Sequence, residues 1–381
     1  MVECLLAKEE VASSNLVFRS TFLQVFYFIA ILPFILSILL CYNSAMKVSE
    51  IGEFGLIERL SKMAKQGEDK NQAAWKQLII GIGDDTAAFF GNNEIQLATV
   101  DSLVQDIHFS FSYMSWQELG WKSLAVNLSD IAAMGGSPRY ALVSLGLPGN
   151  TEVEDVIELY RGMFEIAGKF GVAVVGGDTV SSQVVFISVT VIGSAGEKKR
   201  NVLRRSAAKS GDQIAVTNYL GASAGGLQML NRHLKFKPKY SNELRQAHLK
   251  PNPRVAEGQL LVEKGVKCAM DISDGLVGDL THICQESEVG AQISVDLVPI
   301  SPAVITYFGE QALELALNGG EDYELLFTAS PQVMNKVKNT IHCPVTVIGE
   351  ITTEKIGQVT LIDSQGKPLR IKKPGWDHFS E

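Results

Sequence analysis

The chain has no surplus of positive charge: 34 Lys+Arg stand against 42 Asp+Glu over 381 residues, a formal net charge of −8. Recognition of a phosphate backbone needs a basic face, so a general nucleic-acid binder is excluded. Cysteine is scarce as well. Its five copies include no Cys-x-x-Cys pair, which supports neither a disulfide framework nor a zinc site and fits a reducing compartment. Charged residues are 20% and hydrophobic residues 46% of the chain, a globular balance, and the length suits about two domains. Familiar catalytic strings are missing too. There is no Gly-x-x-x-x-Gly-Lys-Ser/Thr run, the nearest being Gly168-Lys169 followed by Phe170, no protein-kinase catalytic string and no nucleophile elbow. P-loop, protein-kinase and Ser-His-Asp chemistry therefore lack support.

One stretch lacks charge altogether. Phe22 to Tyr42 contains no Asp, Glu, Lys, Arg or His and is long enough to cross a bilayer despite Pro33. Lys8 and Arg19 on one side and Lys47 on the other orient it poorly. The run exceeds a usual secretory h-region, and no small-x-small site follows it. A membrane anchor is one reading; the other is that Met46 is the start and residues 1–45 are upstream sequence.

From Met46 the pattern alternates between helical and extended. Apolar spacing gives helices over 51–65 and 115–134, the second with a stripe at Leu119, Leu124, Leu128 and Ile131 and a stop at Gly135, Gly136 and Pro138. Thr151 and Glu154 have capping-box spacing ahead of a helix whose inward residues are read as Val153, Val156, Ile157, Tyr160, Phe164 and Ala167. Strands are expected over 78–82, 95–100, 172–175, 184–192, 213–217, 323–328 and 345–348. Gly221 to Gly226 opens a further helix, and another starts at Leu276. The charged cluster 196–201 is the best boundary, dividing 46–200 from 201–381. Segment 231–250, basic and poorly periodic, reads as a surface insertion. The fold class is α/β, with α+β mixed.

The chemistry lies in a recurring event: an apolar strand or helix that ends in Gly or Ser beside a carboxylate. It occurs at Gly83-Asp84-Asp85, Thr99-Val100-Asp101, Asn127 to Asp130, Gly177-Asp178, Asp271 to Gly275 with Ser273 and Asp274, and Gly319 to Asp322 with Glu321. Taken singly, an Asp-Gly turn is ordinary loop chemistry. Six of them converging would repel one another and take up protons unless cations neutralised them. Mg²⁺, an oxygen-seeking ion held by a few carboxylates together with substrate phosphates, suits such a set and points to a metal–nucleotide site. Asp130 differs from the turn residues, because it falls near the apolar side of a helix and needs a partner there. Gly81-x-Gly83 is not a dinucleotide turn, since Asp84 and Asp85 would face the pyrophosphate.

In order along the chain, GEFGLIERL, GIGDDTA, AVNLSDIAAMGG, VVGGDT, DISDGL, NGGEDYELLF and GWDHF resemble the thiamine-monophosphate kinase family, in the superfamily of aminoimidazole ribonucleotide synthetase and selenophosphate synthetase. The resemblance runs from Met46 to Phe379 and favours Met46 as the start. It implies a two-domain fold of that superfamily, a cytoplasmic homodimer paired through its amino-terminal sheets, and ATP-dependent phosphorylation of thiamine monophosphate with several Mg²⁺ ions. It also implies roles by position. Asp85, Thr99, Val100 through its backbone, Asp101, Asp130, Asp178, Asp271 and Asp274 would hold metal. Gly177, Asp178, Arg205 and Ser273 would meet ATP, and His108, Glu321 and Trp376 the substrate. Another ATP-dependent synthetase of the superfamily, or a membrane-tethered nucleotide sensor, is the alternative.

Overall fold

A computed structural model of the chain describes residues 55, 58, 77–80, 84–91, 94–195 and 202–369; those from 77 onward belong to one compact unit. The apolar run 22–42, most of the helix expected over 51–65, the cluster 196–201 and Trp376 lie outside the described residues. Among the described residues no helix is long and apolar enough to cross a membrane.

The first half is a six-stranded sheet with two helices on one face. Its strands are β1 (Leu78–Ile80), β2 (Ala87–Gly91), β3 (Glu94–Val104), β4 (Ser137–Leu147), β5 (Ala173–Ser181) and β6 (Phe186–Ser194), in the order β1-β2-β3-β6-β4-β5. The helices are α1 (Trp116–Ala133) and α2 (Val153–Phe170). Neighbouring strands are antiparallel except β4 and β5, which need a crossover that α2 supplies. Strand β3 shows why the sheet has two unlike faces. Ile95, Leu97, Thr99 and Leu103 are buried towards the helices, while Val100 on the opposite face is 58% exposed, the period-two alternation of a strand covered on one side.

Helix α1 begins at a capping box that periodicity alone did not reveal: Ser115 Oγ accepts the Glu118 N–H at 3.3 Å and Glu118 Oε2 accepts the Ser115 N–H at 2.9 Å. The box expected at Thr151 and Glu154 does not form. The N-cap of α2 is Glu152, without a side-chain cap bond, so Thr151 stands one residue too early to cap it. The inward face of α2 is also rotated from the expected one. Leu159, Gly162, Met163, Ile166 and Ala167 are buried, whereas Val153, Ile157 and Phe164 are exposed.

Close packing on α1 explains that rotation. A Cβ on Gly120 would stand 1.8 Å from the Leu159 carbonyl oxygen, and one on Gly162 would stand 1.8 Å from that of Gln117. The two helices therefore touch backbone to backbone, and only glycine fits at either crossing point. Gly162→Ala is expected to lower unfolding free energy by about 1–3 kcal/mol, measured by urea denaturation. An unchanged midpoint would mean the contact is looser than described.

The second half is a seven-stranded sheet wrapped by shorter helices. In chain order it contains β7 (Gln213–Thr217), α3 (Ala222–Asn231), α4 (Pro238–Leu249), α5 (Val255–Lys264), β8 (Cys268–Asp271), α6 (Leu276–Glu286), β9 (Gly290–Ser294), α7 (Pro302–Phe308), α8 (Ala312–Asn318), β10 (Leu325–Ala329), α9 (Pro331–Lys338), β11 (Val345–Thr352), β12 (Val359–Ile362) and β13 (Pro368–Leu369). The strand order is β13-β12-β9-β11-β7-β10-β8. The segment expected to be a surface insertion is instead largely helical. Most of it is α4, opened by Pro238 in its first turn, with Leu244, His248 and Leu249 buried. Three buried anchors in twelve residues, with Tyr240 packed partly beside them, suffice to dock a helix whose other positions are mostly polar.

Helix α1 links the halves. Of its 18 residues 14 are buried, because α5 and β8 pack on the side away from the first sheet. The approach is close: a Cβ on Gly258 of α5 would lie 2.1 Å from the Ala132 carbonyl oxygen. Polar side chains on α1 are therefore enclosed on almost every side, and each needs a partner.

Candidate active site

Strand β3 and the last turns of α1 face strand β8 across this junction. Oxygens of Asp85, Asp130 and Asp271 lie within 4.8 Å of one another, although the three residues come from the loop before β2, from α1 and from the end of β8. Each has a hydroxyl or cation at its side. Thr99 Oγ1 donates to Asp130 Oδ2 at 2.5 Å, and Ser129 Oγ donates to Asp271 Oδ2 at 2.5 Å. The Arg205 guanidinium pairs with Asp85 at 2.5 Å, and its backbone N–H donates to Asp84 Oδ1 at 2.8 Å. Asp101 is fixed by its own N–H, which donates to Asn127 Oδ1 at 3.0 Å.

The cluster is electrostatically loaded. Burial, and then the charges of Asp101, Asp271 and Asp85, push the Asp130 carboxyl well above the usual carboxylate range, against the Thr99 hydrogen bond. Burial and the Asp85 charge raise Asp271 to about 7, and burial raises Asp84 to about 6. Burial disfavours the charged form of Arg205, but Asp85 more than offsets it, so the guanidinium stays protonated. One positive charge cannot neutralise this set. Asp85 Oδ2 is buried without a hydrogen-bond partner among the described residues. An orphan oxygen beside two more carboxylates, with hydroxyl oxygens at the rim, is the donor set of a hard divalent cation.

A second loop closes on the first. Ile272 to Gly275 follows β8, and Gly319 to Tyr323 follows α8. The Glu321 N–H donates to the Ser273 carbonyl at 2.7 Å and the Tyr323 N–H to the Ile272 carbonyl at 2.9 Å. A Cβ on Gly320 would lie 2.3 Å from the Ser273 carbonyl oxygen, so this approach requires glycine. Two further aspartates hold the loops from behind. Asp279 accepts the Asp274 and Gly275 N–H groups at 3.3 and 3.1 Å, and Asp322 accepts those of Gly221 and Ser223 at the start of α3.

The structure thus brings Asp85, Asp130 and Asp271 together, with Thr99 and Arg205 bonded to members of the cluster. Asp101 acts electrostatically on Asp130 and Asp271. Asp274 and Ser273 share the loop of Asp271, and His108 lies near Glu321, whose charge it influences. Asp178 is placed elsewhere. Strand register puts it level with Ser144, Ser188 and Ser102, on the open face of the first sheet, and it is exposed there. The Val100 side chain projects from the same open face, and Gly177 directly precedes Asp178 in β5. In a single chain the Asp178 side chain does not join the group of Asp85, Asp130 and Asp271.

Sequence reasoning quoted Asn127 and Ser129 only as neighbours of Asp130, and missed Asp279 behind the loop and Lys122 and His248 beside Glu321. A signal existed for Lys122: a charge amid the apolar residues of α1 is an internal position if the helix is enclosed. For Asp279, its position three residues inside α6 concealed that it accepts from the preceding loop.

The chain is similar to known proteins along most of its length. The family model described as AIR synthase related protein, N-terminal domain, matches residues 83–195, and the C-terminal domain model of the same family matches 209–362. The thiamine-monophosphate kinase of Buchnera aphidicola subsp. Schizaphis graminum is 38% identical over 338 residues, covering 87% of this chain and 99% of its own. The crystal structure of thiamine monophosphate kinase from Aquifex aeolicus superposes with a TM-score of 0.71 at 31% identity, covering 86% and 100% of the two chains. A structure described as AaThiL complexed with AMPPCP and TMP gives 0.76 at 32%, covering 88% and 100%. With near-complete coverage of these relatives and both halves matched, the chain belongs to the thiamine-monophosphate kinase family.

Proposed function

We propose that this protein transfers the γ-phosphoryl group of ATP to the phosphate of thiamine monophosphate, releasing ADP and thiamine diphosphate. The observation that carries the reading is the meeting of Asp85, Asp130 and Asp271 within 4.8 Å, in a chain related over most of its length to enzymes of that name. A phosphate oxygen of the acceptor forms the new P–O bond while the bond to the β-phosphate oxygen of ATP breaks. The attacking oxygen is already ionised, so no protein nucleophile or strong general base is needed.

Asp85, Thr99, Asp101, Asp130, Asp271 and Asp274 are the residues that would hold Mg²⁺, with the Val100 carbonyl beside them. The bound ions would supply neutralisation of the negative charge on the transferring group. Arg205 and Ser273 would meet the nucleotide phosphates, Arg205 by charge. His108 and Glu321, with Trp376, take the organic end of the acceptor, since a carboxylate repels its phosphate end.

The reading includes a homodimer. Val100, Tyr140, Leu142 and Val180 are exposed on the open face of the first sheet, and an apolar sheet face of this kind marks an interaction surface. Asp178 lies on that face, so pairing of two copies is the route by which it and Gly177 join a nucleotide site. The reaction belongs in the cytoplasm, where ATP and Mg²⁺ are abundant.

Incubation with ATP, MgCl₂ and thiamine monophosphate, followed by chromatography, is expected to yield ADP and thiamine diphosphate in equal amounts. Release of free phosphate with no thiamine diphosphate overturns the reading in favour of another ATP-dependent reaction of the superfamily.

A further inference from the structure

Away from the acidic cluster, the least expected buried group is Lys122. Its side chain is 0% exposed in the middle of α1, although lysine is almost never enclosed unless paired. The partner is Glu321, whose Oε1 lies 2.7 Å from Lys122 Nζ. The other oxygen, Oε2, is 3.3 Å from His248 Nδ1, which also contacts Ser223 Oγ at 3.1 Å. The His248 ring is 1% exposed, and its Nε2 has no hydrogen-bond partner among the described residues. Burial, then the Lys122 charge, lowers its pKa to about 3, so the ring is neutral at physiological pH. Three separate elements, α1, α4 and the loop after α8, therefore meet on one carboxylate.

The loop presenting that carboxylate is held in an uncommon conformation. Glu321 has φ +65° and Tyr323 φ +50°, left-handed values that bulky residues adopt when their surroundings over-determine them. Its amide is tied to the Ser273 carbonyl, so the loop is registered to the one proposed to meet ATP. The Glu321 side chain is nonetheless 28% exposed. Each carboxylate oxygen has two acceptor positions. Lys122 Nζ lies against one oxygen and His248 Nδ1 within 3.3 Å of the other, leaving acceptor capacity towards the open side.

We infer that Lys122 is a positioning residue for the acceptor substrate, holding Glu321 ionised and in one orientation so that its free lone pairs receive the nitrogen-rich, non-phosphate end of thiamine monophosphate. His248 steadies the second oxygen without adding charge. The inference rests on the proposed reaction and extends it to residues deep in α1 and α4 that do not touch the substrate.

Kinetics of Lys122→Met, Glu321→Gln and the double variant test it. Lys122→Met is expected to raise KM for thiamine monophosphate about tenfold or more while KM for ATP changes less than about twofold. In the Glu321→Gln background, adding Lys122→Met is expected to leave KM for thiamine monophosphate unchanged, because the group it acts through is already gone. A merely structural lysine would shift both KM values together, or neither, with effects that multiply in the double variant. Either pattern overturns the inference. Should Lys122→Met fail to fold, the double variant removes both charges and avoids an unpaired buried ion, and its comparison with Glu321→Gln alone decides. If the wild-type protein makes no thiamine diphosphate, the reaction itself is wrong and the inference falls with it. If the wild type turns over and Lys122→Met binds the acceptor normally, only the inference fails.

Discussion

Replacing Asp130 by asparagine is expected to reduce turnover about a hundred- to a thousandfold while leaving the protein folded. Asparagine keeps the shape and one carbonyl oxygen, which can still accept from Thr99 Oγ1, so the packing at the end of α1 survives. What disappears is a negative charge facing Asp85, Asp101 and Asp271. Removing it relieves repulsion in the metal-free protein, and the melting temperature without Mg²⁺ is expected to stay level or rise. Near-normal turnover would exclude Asp130 from the metal set.

The same charges set a pH dependence whose sign can be worked out. In the folded protein Asp271 is raised from 3.8 to about 7, so between those values the folded state binds a proton that the unfolded state does not. The stability contributed by that proton is full below the ordinary carboxylate value and is lost as pH rises through about 7. Cations compete for the same oxygens, so metal binding releases protons and strengthens with pH. Mg²⁺ is therefore expected to raise the melting temperature more at pH 8 than at pH 5.5, and less so in Asp130→Asn. A shift independent of pH would place the ion on other groups.

Leu142→Arg is expected to convert the proposed dimer into a monomer and to abolish most activity. Leu142 is 41% exposed on the open sheet face, and Thr190 pairs in register with both it and Val100. Two copies meeting through this face would bury an unpaired guanidinium from each side, a cost of several kcal/mol. Light scattering reads the mass directly. Asp178→Asn provides the contrast: it is expected to remain a dimer yet lose activity about tenfold or more, because the carboxylate and not the contact is removed. A wild-type protein that is monomeric and active would exclude the pairing and leave Asp178 without a part in catalysis.

Much of this was visible in the linear chain, for reasons that differ from residue to residue. Periodicity located α1, since an enclosed helix still shows regular apolar spacing, and the reading of 95–100 as a short buried strand located the first part of β3, which runs from Glu94 to Val104. Periodicity failed on α2, where apolar residues cover more than one face and only the contact between Gly120 and Gly162 decides which of them turns inward. It failed again on α4, whose few buried anchors are diluted by polar neighbours. Asp130 was recognisable as a carboxylate needing a partner. That the partner is Thr99, 31 positions earlier, depended on how β3 lies against α1.

The order of residues alone settled the chemical inventory: carboxylates in glycine- and serine-rich turns, no P-loop string, no nucleophile-elbow string, and motifs shared with one family. Those features are local, because a turn needs its own residue types and a motif is a string. The three-dimensional packing settled which carboxylates share one pocket, that Asp178 faces away from them, and that a lysine inside α1 is bound to Glu321 some 200 positions later. Distances between remote segments follow from how helices and sheets close on one another, and that closure depends on shape and burial summed over the whole molecule.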